Sequence, residues 1–201
     1  MLYAYSDDGS KILATPRARA VCPECGRVVI ARCGEINVWH WGHEKRGDCD
    51  VWGEHETAWH LGWKRYFSPE YVEVSVRKGG VSHRADIRTS EGVVIELQHS
   101  PLSPDEIAER EEFYGRMVWV FDVEEPFEEE RLEFRSKGDY YTFRWKMPRK
   151  HMAYTTRPAL WDIGTLNLFR KQKMYTEAPC GGWGTFVSLF DFLRQHGGAY
   201  T

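Results

Sequence analysis

The 201-residue sequence lacks any long apolar segment. No run of about 18 apolar residues occurs, so a membrane-spanning helix is not expected. The first twenty residues carry five charged side chains, which argues against a secretory signal peptide. The low aromatic content typical of disorder is also absent, because nine Trp, ten Tyr and ten Phe can build a core. We therefore expect a folded, cytoplasmic protein without a membrane partner.

Cysteine is scarce, and the five cysteines are an odd number. In a chain that is not exported, a Cys-x-x-Cys pair followed by histidines favours metal binding over disulfides. Cys22 and Cys25 form such a pair, and His40 and His43 follow with the same spacing. Two thiolates and two imidazoles can close a tetrahedral shell around zinc. We predict a structural zinc ion at these four residues, because so short a segment can bury little core unaided.

Two alternatives to this ligand set stay open. The four residues could be reduced cysteines and surface histidines that share a region by chance. Either Cys33 or Cys49 could also replace one of the ligands, and His43 is the first candidate for replacement. In both zinc versions the protein fills all four positions, which predicts a structural rather than a catalytic ion.

The net charge of −3 conceals an uneven distribution. Residues 105–133 hold twelve acidic and three basic side chains, whereas residues 134–175 hold ten basic and two acidic ones. Either block could be a solvated face. In the basic block, however, aromatic residues alternate with the cations, and cations bind phosphates while aromatic rings stack on nucleobases. The predicted nucleic-acid contacts in this block are Arg144, Lys146, Arg149 and Lys150.

Two predicted strands on either side of a Ser-Glu-Gly loop carry opposed carboxylates. In the expected hairpin register Thr89 pairs with Val93, which sets Asp86 opposite Glu96 on the polar face. Carboxylates about 5 Å apart repel each other, and a divalent cation between them removes the conflict. The pattern therefore favours a Mg²⁺ or Mn²⁺ site. The alternative is a solvated sheet face on which these acids pair with arginines.

The coarse pattern of elements predicts a mixed α/β (α+β) fold. A helix over 54–67 and three strands over 71–76, 83–88 and 93–98 are followed by a capped helix over 104–114 and a strand over 117–121. Beyond these elements we predict a strand over 140–145 and a helix over 184–195.

The first predicted helix carries three polar residues at spacings of four. Glu56, His60 and Lys64 would line one face and present an acid, a proton-transfer candidate and a cation. The alternative is an ordinary exposed helix face.

Several motifs occur in an order and spacing typical of one family. They are Cys22-Pro-x-Cys25 with His40-x-x-His43, Glu56-Thr-x-x-His60-Leu-x-x-Lys64, Arg84-Ala-Asp86-Ile, and Ile-Glu96-Leu-Gln98-His99-Ser-Pro-Leu-Ser. Over about residues 20–122 the chain resembles the competence protein CoiA-like family. The resemblance implies a zinc-finger-like N-terminal segment joined to a restriction-endonuclease-like nuclease domain, a mixed sheet flanked by helices.

The resemblance also implies roles for individual residues. Asp86 and Glu96 would be the metal ligands, and Gln98 stands where related nucleases have a lysine. Glu56 matches the acid on the first helix, and His60 and Lys64 match the family's helix motif. We hypothesise that Lys64 supplies the cation that Gln98 lacks.

These observations predict a Mg²⁺- or Mn²⁺-dependent nuclease that hydrolyses DNA during uptake, recombination or defence. Residues 1–50 would hold the hairpin and zinc module, 51–125 the nuclease core and 126–201 a basic, aromatic extension with a terminal helix. Arg84 and His99 are candidate phosphate contacts. Two other functions remain open: a non-catalytic, zinc-dependent nucleic-acid-binding module, and an adaptor that binds protein partners in DNA processing or defence.

Overall fold

Short strands rich in β-branched and aromatic residues make up most of the secondary structure. The computed structural model describes residues 1–35, 38–45, 49, 50, 52, 53 and 56–200, and within them it contains fourteen strands and four α-helices. The fold is mixed α+β, with a large mixed sheet flanked by helices and a small N-terminal Cys/His cluster, as predicted. The chain divides into two compact units, Met1–Arg88 and Thr89–Tyr200. The finer division into 1–50, 51–125 and 126–201 stays a prediction.

The first unit begins with a small antiparallel sheet in the strand order β2-β1-β3-β4-β5. These strands are β1 Tyr3–Tyr5, β2 Lys11–Leu13, β3 Arg19–Val21, β4 Val28–Arg32 and β5 His40–His43. Strands β1 and β2 form an antiparallel hairpin, which confirms the hairpin predicted within residues 1–50. The core of the five-stranded sheet is made of small side chains around one large residue, Trp41. So small an apolar core contributes little stability to the sheet. A further constraint such as a bound ion would stabilise the module.

A helix and a hairpin complete the first unit. Helix α1 spans Ala58–Arg65, and strands β6 Val72–Lys78 and β7 Val81–Arg88 pair antiparallel. The helix was predicted from residue 54, but Glu54 and His55 lie outside the described residues. Thr57 caps the helix, because its hydroxyl accepts from the His60 N–H and its own N–H donates to the His60 ring.

The second unit is built on seven strands in the order β10-β11-β14-β13-β12-β9-β8. Their bounds are β8 Val94–Gln98, β9 Met117–Asp122, β10 Leu132–Ser136, β11 Tyr141–Trp145, β12 Ala159–Asp162, β13 Asn167–Tyr175 and β14 Gly181–Ser188. Strands β8, β9 and β12 run parallel, and the remaining pairs are antiparallel. All five residues of β8 are buried, as are all six of β9, which fits the continuous burial of parallel strands.

Helices connect or follow these strands. Helix α2, Pro104–Tyr114, joins the parallel strands β8 and β9. A capping box between Ser103 and Glu106 starts it, in agreement with the predicted capped helix over 104–114. The two other helices are α3 Glu124–Glu128 and α4 Leu189–His196. Within the described residues, no helix has the length and apolar character needed to cross a membrane.

The loop before β8 has the predicted form. The Thr89 N–H donates to the Val93 carbonyl over 2.9 Å, and the Gly92 N–H donates to the Thr89 carbonyl over 2.8 Å. Gly92 takes a φ of +76°, a left-handed conformation that glycine adopts without steric cost.

The predicted helix over 184–195 begins too early. Residues Gly181–Ser188 form strand β14, and the helix starts only at Leu189. The reason is close packing: a Cβ on Gly182 would lie 2.8 Å from the Phe143 ring, and one on Gly184 would lie 2.7 Å from the Phe169 ring. The glycines therefore let β14 approach an aromatic cluster, and they disfavour a helix in isolation.

We expect Gly182→Ala to destabilise the second unit by about 1–3 kcal/mol or more, because the added methyl group meets backbone and ring atoms. The matched control is Gly62→Ala, since a Cβ at this position in α1 meets nothing within 4 Å. That control should be neutral or slightly stabilising. Thermal unfolding followed by circular dichroism checks the pair, and equal stability of both variants would contradict the packing account.

Candidate metal and nucleic-acid sites

Three thiols and one imidazole converge in the first unit. The donor atoms of Cys22, Cys25, His43 and Cys49 all lie within 4.8 Å of one another. The Cys22 and Cys49 sulfurs are 3.5 Å apart, and the Cys25 sulfur is 3.3 Å from His43 Nε2. Zinc bonds of about 2.0–2.3 Å give tetrahedral edges of roughly 3.3–3.8 Å, so this donor set fits a zinc ion.

The ligand set corrects the sequence prediction at one position, where Cys49 replaces His40. Residues 40–43 form strand β5, and side chains alternate across a strand. His43 therefore shares a face with the buried Trp41, whereas His40 points to the other face. The His40 ring hydrogen-bonds with the Val38 carbonyl at 2.8 Å. A His-x-x-His pair can serve one ion on a helix or loop, but an extended strand separates the two rings.

A tight turn positions the first two thiols. The Gly26 N–H donates to the Cys22 carbonyl, and Gly26 takes a φ of +69°. Burial raises the pKa of the Cys49 thiol to about 12, with the hydrogen bond to Cys22 adding to the shift. Burial also opposes ionisation of Cys25, but hydrogen bonds involving Arg27 and His43 outweigh it and lower the pKa of that thiol to about 6. Adjacent thiolates resist ionising together, and a bound cation relieves this repulsion.

Lys64 is the centre of a buried charge network in the same unit. Its ammonium lies 2.9 Å from Glu56, 3.0 Å from Glu73 and 3.3 Å from Asp86. The lysine and both glutamates are buried, while the Asp86 side chain keeps 23% of its surface exposed. Burial alone would lower the pKa of Lys64, but the carboxylates of Glu73, Asp86 and Glu56 raise it above its ordinary value. Lys64 therefore stays charged beside Asp86.

The predicted helix stripe is only partly correct. Glu56 precedes the N-cap Thr57, so it reaches Lys64 from the chain before the helix and not from the helix itself. His60 is buried and forms the capping interaction with Thr57. The alternative of an exposed helix face is excluded for Lys64, which is buried.

Glu73 is a member of the network that the sequence interpretation missed. Its carboxylate accepts the backbone N–H groups of Leu2 and Tyr3 at 2.8–2.9 Å in addition to the Lys64 ammonium. Glu73 also takes a φ of +50°, which is uncommon for a residue with a side chain. Burial opposes its ionisation, but Lys64, Arg84 and these hydrogen bonds hold its pKa well below the usual range. Glu73 thus links the first strand to the helix.

Arg84, predicted as a phosphate contact, lies among carboxylates. Burial would lower its pKa, but Glu73, Asp50 and Asp86 raise it above the ordinary value. Asp50 also accepts from the Arg84 backbone N–H at 2.7 Å and contacts the His83 ring at 2.9 Å. Arg84 therefore contributes positive charge to the surroundings of Asp86, and its contact with phosphate stays a prediction.

In the second unit, Glu96 and Gln98 are buried side chains of β8 that contact helix α2. The Arg110 guanidinium lies 3.3 Å from the Glu96 carboxylate and 3.5 Å from the Gln98 carbonyl oxygen. Gln98 Nε2 donates to the Ser100 carbonyl over 2.7 Å, which fixes the amide. Arg110 was not among the predicted site residues. A helical spacing could have indicated Arg110, because the buried face of α2 consists of Ile107, Arg110 and Glu111.

His99 pairs with a carboxylate at the ends of two parallel strands. Its Nδ1 lies 2.8 Å from Asp122, and the imidazole keeps 46% of its surface exposed. Arg149 donates to the His99 carbonyl over 3.2 Å and to the Asp122 carbonyl over 2.7 Å. The predicted contacts Arg149 and His99 are therefore brought together, and Asp122 fixes the orientation of the ring.

The alternation in the basic block has a structural explanation. On strand β11, Phe143 and Trp145 face the core, whereas Arg144 and the following Lys146 are exposed. Phe143 packs edge to face against Trp161 at 4.8 Å, so it belongs to the aromatic core. Buried rings of this kind are not free to stack on nucleobases. The exposed cations stay predicted nucleic-acid contacts.

The fold and the Cys/His group define a mixed α+β protein whose small N-terminal module could hold a metal ion. Residues 10–52, about a fifth of the chain, match the family model for competence protein CoiA, N-terminal domain. Over these residues the chain is similar to that domain, which confirms the predicted resemblance there. Neither the curated proteins nor the solved structures contain a match to the chain.

We expect Cys49→Ser to reduce zinc content and to increase zinc loss to a chelator, because one of four ligands is removed. His40→Ala is the matched control and should keep one zinc ion per chain. Elemental analysis after dialysis, followed by release into a chromogenic chelator, checks both variants. Loss of zinc in His40→Ala but not in Cys49→Ser would show that the sequence-based ligand set was the correct one.

We expect Glu73→Gln to destabilise the protein by about 3 kcal/mol at pH 7, because it breaks a buried ion pair. The depressed pKa of Glu73 means that its contribution is present above the unfolded-state pKa of about 4.3 and is lost as pH falls. Stability of the wild type should therefore decline below about pH 5 more steeply than that of the variant. Denaturant unfolding between pH 3 and 7 measures this slope, with exposed Glu70→Gln as the control; parallel slopes for all three proteins would refute the assignment.

Proposed function

We propose that this protein is a divalent-metal-dependent nuclease that hydrolyses DNA. Asp86 and Glu96 would bind the Mg²⁺ or Mn²⁺ ion. The observation that carries the proposal is the environment of Asp86. It is the accessible carboxylate of the Lys64 network, and a buried ammonium holds it at 3.3 Å. A carboxylate that is both oriented and reachable suits a hard cation that prefers oxygen ligands.

The proposal draws on each unit separately and on the sequence. The hairpin register predicted from the sequence places Asp86 opposite Glu96, and the Thr89–Val93 turn has the geometry this register requires. The order helix, three strands, helix, strand from α1 to β9 fits the restriction-endonuclease-like fold implied by the resemblance. That fold assignment is part of the proposal.

The chain's own residues have distinct tasks in such a site. Bound Mg²⁺ or Mn²⁺ supplies Lewis-acid chemistry, which polarises phosphate and acidifies water. Arg110 positions the Glu96 carboxylate, and Gln98, fixed by Ser100, orients the attacking water. Lys64 orients Asp86 and contributes the positive charge that Gln98 lacks, which stabilises the negative charge that develops at phosphorus.

The remaining predicted residues would hold the nucleic acid. His99, whose ring is oriented by its contact with Asp122, would contact the phosphate backbone. The zinc-bound module and the exposed cations of the basic block extend the contact surface. The described cysteines are all free thiols, as metal binding in a reducing cytoplasm requires.

A non-catalytic binding module is the second candidate. It is favoured by one observation: Glu96 and Gln98 already contact Arg110. The Arg110 guanidinium therefore balances the charge of the Glu96 carboxylate without a metal ion. In that case the protein would bind DNA through the zinc module and the basic block without cleaving it. Metal dependence of cleavage separates the two functions.

We expect purified protein to cleave single-stranded, duplex or branched DNA with Mn²⁺ and to lose this activity with EDTA. Asp86→Asn and Glu96→Gln should each reduce the rate about a hundredfold or more, because a metal ligand is removed. Asp7→Asn, an exposed acid in the β1–β2 turn, is the control and should keep full activity. Cleavage that survives in both metal-ligand variants, or no cleavage of any substrate, would overturn the enzyme proposal.

A further inference from the structure

A cavity of about 540 Å³ lies in the second unit, beside the end of strand β11. Its apolar lining includes Trp145, Met147, Pro148 and Pro179. Ligand sites in proteins are concave, largely apolar and about 300–1,000 Å³ in volume, so the cavity has the dimensions of a small-ligand site. None of the residues assigned to the metal-binding carboxylate pair lines it.

Cations surround this apolar floor. Arg144, Lys146 and Lys150 line the cavity and are exposed. Glu133 is the acid in the same lining, and Lys146 contacts it only at 3.8 Å in an exposed pair that contributes little. A fourth cation of the lining, Arg131, already forms ion pairs with Glu125 and Glu129. The cavity therefore has a surplus of positive charge.

The sequence explains why the floor of the cavity is apolar while its rim, formed by Arg144, Lys146 and Lys150, is cationic. Along β11 the side chains alternate, so Trp145 is buried while the neighbouring Arg144 and Lys146 reach solvent. Met147 then leaves the strand with a φ of +54° and is 74% exposed. This left-handed residue ends the strand and places an apolar side chain at the surface next to the cations.

We propose that this cavity binds one nucleotide unit, with its base on the apolar floor and its phosphate on Arg144 and Lys150. The combination of an apolar lining, to which the exposed Met147 contributes, with clustered cations matches a molecule that joins an apolar ring to an anion. A duplex is too wide to enter a cavity of this volume, whereas one unstacked nucleotide fits. The unit can belong to a free nucleoside monophosphate or to the end of a single strand, and the two share the same chemistry.

The inference deepens the proposed function, because it names a place where a strand end would be held. It does not depend on cleavage. Binding to the cavity would position a single strand through its terminal nucleotide and not through the phosphate backbone alone. Sequence-independent recognition is expected, since every base offers a flat face.

Calorimetric titration of the full chain tests the proposal with dAMP, deoxyadenosine, inorganic phosphate and a 5′-phosphorylated oligothymidylate. We expect dAMP to bind more tightly than deoxyadenosine or phosphate, because only dAMP uses both floor and rim. Arg144→Ala and Lys150→Ala should each weaken dAMP about tenfold or more, as loss of a charge-assisted hydrogen bond does. Arg194→Ala, an exposed arginine of α4 that does not line the cavity, should bind as the wild type does.

The oligonucleotide identifies the source of the nucleotide. Competition between it and dAMP indicates a strand end, and binding of dAMP alone indicates a free nucleotide; both support the cavity assignment. Equal binding of dAMP and inorganic phosphate, or unchanged affinity for dAMP in Arg144→Ala and Lys150→Ala, would overturn it. Asp86→Asn should lose cleavage but retain dAMP binding. A wild-type protein that binds dAMP but cleaves no DNA would reject the proposed function and keep this inference.

Discussion

The buried ammonium of Lys64 is the interaction on which the first unit depends. Three carboxylates surround it, and they come from three parts of the chain: the segment before α1, strand β6 and strand β7. Glu73 extends the network to the first strand through the Leu2 and Tyr3 N–H groups. Charges in an interior are costly unless they are paired, so removing one member would leave its partners uncompensated. The network thus holds Asp86 in place while leaving part of it accessible.

The second unit uses the same physical device beneath strand β8. Arg110 approaches from α2 and contacts both Glu96 and Gln98, so that two polar side chains are tolerated in a fully buried strand. Around them the sheet is held by aromatic packing, with Phe134 and Phe169 rings 4.6 Å apart. In both units a cation from a helix orients acidic or amide groups on a strand. This arrangement holds the oxygen atoms of these side chains in fixed positions.

Features set by neighbouring residues could be predicted from the sequence. The Ser103–Glu106 capping box, the Gly92 turn and the Cys22–Cys25 pair each depend on a few adjacent positions, and all three occur as expected. The match to the CoiA N-terminal domain likewise follows motifs that the sequence displays.

Features set by distant residues could not be predicted in the same way. Glu73 binds backbone groups some seventy residues away, and no local pattern marks it. The Cys/His group contains Cys49 and lacks His40, because side chains alternate across strand β5 and His40 lies on the opposite face from His43. The start of α4 depends on aromatic rings that exclude a Cβ at Gly182. Each case needs the fold before the residue's role can be recognised.

The central claim is that Asp86 and Glu96 form a divalent-metal site. A crystal of the zinc-loaded protein soaked in millimolar Mn²⁺ and measured at the manganese absorption edge tests it most directly. The account predicts an anomalous peak at about 2.0–2.2 Å from carboxylate oxygens of both residues, separate from the zinc peak at the Cys/His group. A zinc peak without any manganese at these carboxylates would contradict it.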